Sequence, residues 1–166
     1  MAIDYFKMFA LDKSYPLDTQ VLEQTYRRLS TQYHPDKTAH LSAFEQKQAV
    51  MLSATINEAY RVLKSPLDRA AYLLKEQGIH ADAPEHTQFA PEFLMQQMQW
   101  REDLDDAQGN EAALLALQKD INQAYQTLQQ DLLNDFAQEQ WQQAAAHVRE
   151  GRFISKLLQQ IKQALP

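Results

Sequence analysis

With only three glycines in 166 residues, and long stretches of Ala, Leu, Gln, Glu and Lys, this chain has few ways to fold other than as helices. Those residues lose little side-chain freedom in a helix, whereas Val and Ile, which favour sheets, are sparse. The expected fold class is therefore all-α. The length suits one ordinary domain or two small ones, able to bury about two-thirds of the unfolded surface. At 45% apolar and 23% charged residues, the composition is that of a folding protein and not of a disordered one.

Several function classes fall away. The chain has no cysteine, so it offers no disulfide framework, no thiol nucleophile and no thiolate cage for zinc or an iron-sulfur cluster. A formal net charge of -6 argues against nucleic acid or an anionic membrane as a partner, because both call for a basic surface. No stretch approaches the ~20 apolar residues of a membrane span. The first residues, Met1-Ala2-Ile3-Asp4-Tyr5-Phe6, lack a basic and apolar leader, so the expected location is cytoplasmic.

Helix boundaries can be read from capping signals. After an apolar entry (Tyr5, Phe6, Met8, Phe9, Leu11), Asp18 is placed to cap a helix whose apolar stripe is Leu22, Tyr26, Leu29 and Tyr33, with Arg27 and Arg28 on the wet face. Pro35 should end that helix, push His34 towards extended angles and open a loop. A second helix is expected from about Leu41 to Leu63, with Phe44, Leu52, Ile56, Ala59, Tyr60 and Leu63 on one face, antiparallel to the first. Ser65-Pro66-Leu67-Asp68 starts a further helix, and Gly78 stops it. The segment 79-90, with Asp82 and Pro84, reads as a linker. Three helical stretches follow, roughly Pro91 to Ala107, Glu111 to Phe136 and Gln140 to Leu165; Gly109-Asn110 marks the first turn clearly, and the second break is weakly marked. A three-helix bundle is the simplest closure.

His34-Pro35-Asp36, flanked by Tyr33 and Lys37 and followed by Ile56-Asn57-Glu58-Ala59-Tyr60-Arg61-Val62-Leu63, resembles the signature of a J domain. Asp4-Tyr5-Phe6, the helix bearing Arg27 and Arg28, and Arg69-Ala70-Ala71-Tyr72 extend the resemblance over the first half of the chain. It implies contact with an Hsp-seventy-class ATPase. On physical grounds, a proline-stiffened turn would present the His34 imidazole and the Asp36 carboxylate to a partner, while Arg27, Arg28 and Lys37 add a local positive patch.

The second half carries neither the glycine-rich nor the cysteine-bearing segments of larger J-domain proteins, and its short helical bundle resembles the HscB branch, which serves an IscU-type iron-sulfur scaffold. Phe93, Trp100 and Leu104 form one stripe of the first bundle helix; Leu94, Met95 and Met98 form a second, bordered by Arg101, Glu102 and Asp105. One stripe suffices for a core, which leaves the other as a candidate contact surface. In the family the matching run, Phe93 to Glu102, carries the scaffold-binding residues, and the resemblance assigns that role here to Leu94, Met95, Met98, Gln99 and Glu102. On the last helix, Ala144, Val148, Gly151, Leu158 and Leu165 are expected along the packed seam, with Phe153 pointing away from it to join the same patch. Gln96, Gln97 and Gln99 stand where the family often has acids, so a scaffold contact here would lean less on charge.

The expected molecule is thus an all-α co-chaperone: a J domain (residues 1-78), a linker (79-90) and a C-terminal three-helix bundle (91-166). It would bind an IscU-type scaffold and activate an HscA-type chaperone ATPase, with no cofactor and no chemistry of its own. A J-domain protein for a different client is the alternative. A metal-dependent hydrolase built on His34, Asp36 and His40 is disfavoured, because no further acid and histidine cluster completes a site.

Overall fold

The computed structural model of the chain describes residues 2-86 and 88-166. Among them it contains eight helices and no strand: α1 (Tyr5–Met8), α2 (Thr19–Gln32), α3 (Pro35–Thr38), α4 (Ala43–Lys64), α5 (Pro66–Glu76), α6 (Pro91–Asp106), α7 (Glu111–Ala137) and α8 (Trp141–Ala164). The all-α expectation holds. The chain divides into two compact units, Met1–Tyr72 and Leu73–Pro166, and the division falls within α5.

In the first unit the helix starts are set by side-chain caps. Asp18 accepts from the amides of Gln20 and Val21, and Ser42 and Glu45 form a reciprocal capping box. Ser65 Oγ accepts from the Asp68 amide at the start of α5. The core of the unit gathers Phe6 and Phe9, Tyr15, Leu22, and the α4 face made by Ile56, Ala59 and Leu63. Phe44 departs from expectation: it lies in the first turn of α4 and is exposed, because α4 begins before the core does and its buried face starts only at Ala49.

The second unit is the expected helical bundle, with α7 and α8 its most extensively packed pair. Leu114, Leu117, Ile121, Leu128 and Leu132 make the buried stripe of α7, and Trp100 and Leu104 that of α6. The seam of α8 differs from the reading of a single heptad line. Ala144, Val148 and Gly151 are buried, but Leu158 and Leu165 are only half-buried, and Ile154, Leu157 and Ile161 fill the C-terminal half. A straight seam presupposes one facing helix; in a bundle the covered side can swing round the helix along its length. That swing also brings Phe153 to the margin of the covered face, so it is half-buried and does not point away. Within 79-90, Ala81 is buried and Asp82 receives two hydrogen bonds from Arg152 of α8, at 3.0 and 2.8 Å, which tie the segment to the bundle.

Candidate interaction surfaces

Expected to be an open loop, the His34-Pro35-Asp36 element is instead the start of a one-turn helix. Pro35 occupies its first position, where a missing N–H costs nothing, and His34 takes the extended angles imposed on a residue before proline (φ -65, ψ 142). His34 serves as the cap: its Nδ1 accepts the Asp36 amide at 3.2 Å. An accepting Nδ1 leaves the ring proton on Nε2, so the turn presents a donor on His34 and an acceptor on Asp36. Their side chains are 57% and 89% exposed, so both groups are open to a partner.

The turn is held from beneath. Thr38 is buried, and its hydroxyl donates towards the carbonyl oxygens of Pro35 and His34. Gln46 of α4 donates to the carbonyls of Ala39 and Leu41, fastening the connection to the next helix. Behind it, α2 is locked to α4: Tyr26 stacks on Tyr60 with centroids 3.8 Å apart and donates to Asn57, while Tyr60 donates to Glu23. That Tyr60 hydrogen bond, with smaller help from Lys64 and Arg27, holds the Glu23 carboxyl below its ordinary range. Arg27, Arg28 and Lys37 are exposed.

In the second unit, α6 carries the two stripes read from the sequence. Trp100 and Leu104 are buried and Phe93 half-buried, whereas Leu94, Met95 and Met98 are 43%, 71% and 72% exposed. Glu102 and Gln99 are also exposed, and Gln99 donates to Asp103 one turn on. Phe153 meets α6 edge-on at Phe93 (5.9 Å), with the Arg101 guanidinium over its ring at 5.1 Å. Arg101 lies between the two stripes, so Phe153 borders the exposed one while helping to close the core.

Three features escaped the sequence reading. Arg69 is buried, with its guanidinium against the Tyr15 ring and donating to the carbonyls of Tyr15 and Leu63. Asp135 is buried on the apolar stripe of α7 and hydrogen-bonds His147 of α8. The available signal was an acid seven residues after Leu128 and three after Leu132, a seam position that demands a polar partner. The third is the cap role of His34. No group of three or more His, Cys, Asp or Glu side chains among the described residues could hold a metal ion. Nor is any helix among them long and apolar enough to cross a membrane.

Residues 4-72 match the family model described as DnaJ domain, and residues 89-162 match that described as HSCB C-terminal oligomerisation domain. The chain is 55% identical over 163 residues to a co-chaperone protein HscB homologue of Neisseria meningitidis, covering 97% of this chain and 98% of the relative. Among solved structures it is similar to chaperone HscB from Vibrio cholerae (TM-score 0.85, 35% identity, 97% of this chain and 96% of that one). It is also similar to human co-chaperone HscB (TM-score 0.91, 27% identity, 98% and 82%).

Proposed function

The chain belongs to the HscB family of J-domain co-chaperones, and from that premise we propose that it couples an IscU-type iron-sulfur scaffold to an HscA-type chaperone ATPase. Residues 1-78 act as the J domain, 79-90 as the linker and 91-166 as the client-binding bundle. The J domain engages the ATPase through His34, Pro35 and Asp36, with Arg27, Arg28 and Lys37 attracting an acidic surface. The bundle holds the scaffold through Leu94, Met95, Met98 and Phe153, with Gln99 and Glu102 at the rim. The working compartment is the cytoplasm, and the chain supplies no chemistry itself.

The observation that carries this reading is the exposure of two dissimilar surfaces on two compact units: a charged, capped turn in one and a methionine-rich apolar stripe in the other. Covering the exposed apolar area of Leu94, Met95 and Met98 by a partner contributes up to ~1.5–3 kcal/mol for each side chain. Methionine suits a contact that must also release. Binding both partners raises the effective concentration of client at the chaperone, without any new contact between them.

The test is a titration of the chaperone's steady-state ATPase with this protein, with and without scaffold. Stimulation by the protein alone, increased further when scaffold is added, is the expected result. Stimulation that scaffold leaves unchanged, together with no scaffold binding by calorimetry, would instead favour a different client.

A further inference from the structure

Helix α6, whose exposed stripe is assigned above to the scaffold, starts without the side-chain cap that opens α2, α4 and α7. Ala90 stands at its cap position and Pro91 at its first helical position. The Ala90 carbonyl accepts from the Phe93 and Leu94 amides, at 3.0 Å each, with no side-chain hydrogen bond to support it at the cap. Leu94, Met95 and Met98 follow within about two turns of this start. An uncapped helix end frays, and a frayed stripe must be ordered before a partner can cover it.

We infer that Phe89 is a positioning residue for the scaffold contact: its ring staples the uncapped start of α6, so that Leu94, Met95 and Met98 are presented on a helix already formed. The inference rests on the scaffold-binding role proposed above. Three observations assign this role to Phe89. It stands one residue before the cap position, where an apolar side chain fixes the angle at which the chain enters a helix by packing onto the following turn. Its ring is half-buried and meets Phe93 with centroids 5.5 Å apart, and Phe93 in turn meets Trp100 and Phe153 edge-on at 6.3 and 5.9 Å. The staple is thereby joined to the core of the bundle and to α8. Finally, the segment that carries Phe89 is moored upstream as well: Ala81 is buried, and Asp82 accepts two hydrogen bonds from Arg152, the residue before Phe153 on α8. Held to α8 at Asp82 and to α6 at Phe89, this segment is a strap tied at both ends.

Within the second unit, Leu94, Met95 and Met98 supply the apolar surface, and Phe89 lowers the ordering cost of presenting it. A side chain that acts only through the helix start can be replaced by another device that closes that start, whereas one that touches the scaffold cannot. A hydroxyl at position 90 is such a device: the angles of Ala90 (φ -58, ψ 143) are close to those of Ser42 at the capped start of α4 (φ -63, ψ 161). Serine also adds no charge beside the apolar stripe.

The experiment compares the full chain with Phe89→Ala and with the double variant Phe89→Ala, Ala90→Ser. Affinity for an IscU-type scaffold is measured by calorimetry, and amide exchange at Phe93 and Leu94 by NMR on the free protein. Phe89→Ala should weaken scaffold binding by about fivefold and speed exchange at both amides by a similar factor. Adding Ala90→Ser should slow both amides again and return the affinity to within about twofold of wild type. Unchanged affinity in Phe89→Ala overturns the inference, whatever the amides do. Binding that stays weak in the double variant overturns it too, by making Phe89 a direct contact of the scaffold. Should Phe89→Ala lose overall helicity by circular dichroism, Phe89→Val, alone and with Ala90→Ser, decides by the same criterion. Wild-type protein that binds no scaffold, with the amides responding as expected, defeats the underlying client reading, a result that the exchange rates set apart from the others.

Discussion

Arg69 shows how much of the J unit hangs on one side chain. Its guanidinium is buried, donates to the carbonyls of Tyr15 and Leu63 and lies against the Tyr15 ring; burial lowers its pKa, with the Tyr15 interaction opposing. Replacement by leucine strands two carbonyl oxygens. The expected loss is ~2–4 kcal/mol in urea unfolding followed by circular dichroism. Lysine should not rescue it, since a point charge cannot reproduce a planar fork. Glu150 behaves oppositely. Burial pushes its carboxyl up, Asp131 adds to this, and His147 and Arg149 oppose it. An acid with a raised folded pKa binds its proton more readily in the folded state, so stability falls as pH rises from the ordinary carboxylate range through the folded value. Glu150→Gln should therefore raise the thermal midpoint near neutral pH by about 1–3 °C, an advantage that disappears at about pH 4. Equal gains at both pH values would show that Glu150 is not the cause. For Glu23 the sign reverses: its lowered pKa stabilises the fold above the unfolded carboxylate range, and that contribution is lost as pH falls through the lowered value.

Among the elements, the turns of the bundle explain why one break was plain in the sequence and the other faint. The α6–α7 turn places Gly109 at φ +77, left-handed backbone that glycine adopts without strain. The α7–α8 turn needs the same conformation but supplies Glu139, at φ 55. A side chain there costs ~1 kcal/mol. Glu139→Gly should thus stabilise the bundle by up to ~1 kcal/mol, while Gly109→Ala, which has open space around it, should destabilise by a similar amount through backbone strain alone. Urea midpoints of the two variants, shifted in opposite directions, are the check. The His34-Pro35-Asp36 element shows the same dependence of an element on its neighbours. Pro35 does end α2, but the same ring that stops one helix starts the next, so the expected loop is a capped helical turn with less freedom to lose on binding.

For the molecule as a whole, the two surfaces lie on separate compact units, so damage to one should leave the other working. Asp36→Asn should abolish stimulation of the chaperone ATPase while scaffold affinity, measured by calorimetry, stays at the wild-type value. Leu94→Glu should weaken scaffold binding by at least about tenfold, because a buried unpaired carboxylate costs more than the apolar contact it replaces. Basal ATPase stimulation, without scaffold, should persist. Parallel loss of both activities in either variant would contradict independent sites.

Local chemistry written along the chain was enough for the helical class, most helix boundaries, the Asp18, Ser65 and Pro66 starts, and the separation of α6 into a core stripe and an exposed one. Each of these depends on residues within one or two turns of each other, whose spacing a linear text preserves. Tertiary packing alone decided that Phe44 faces water, that the covered side of α8 shifts to Ile154, Leu157 and Ile161, that Phe153 is half-buried against Phe93 and Arg101, and that Asp135 finds His147. Those outcomes depend on which neighbour covers which side of a helix. That is a property of side chains far apart along the chain, and periodicity within a single helix carries no record of it.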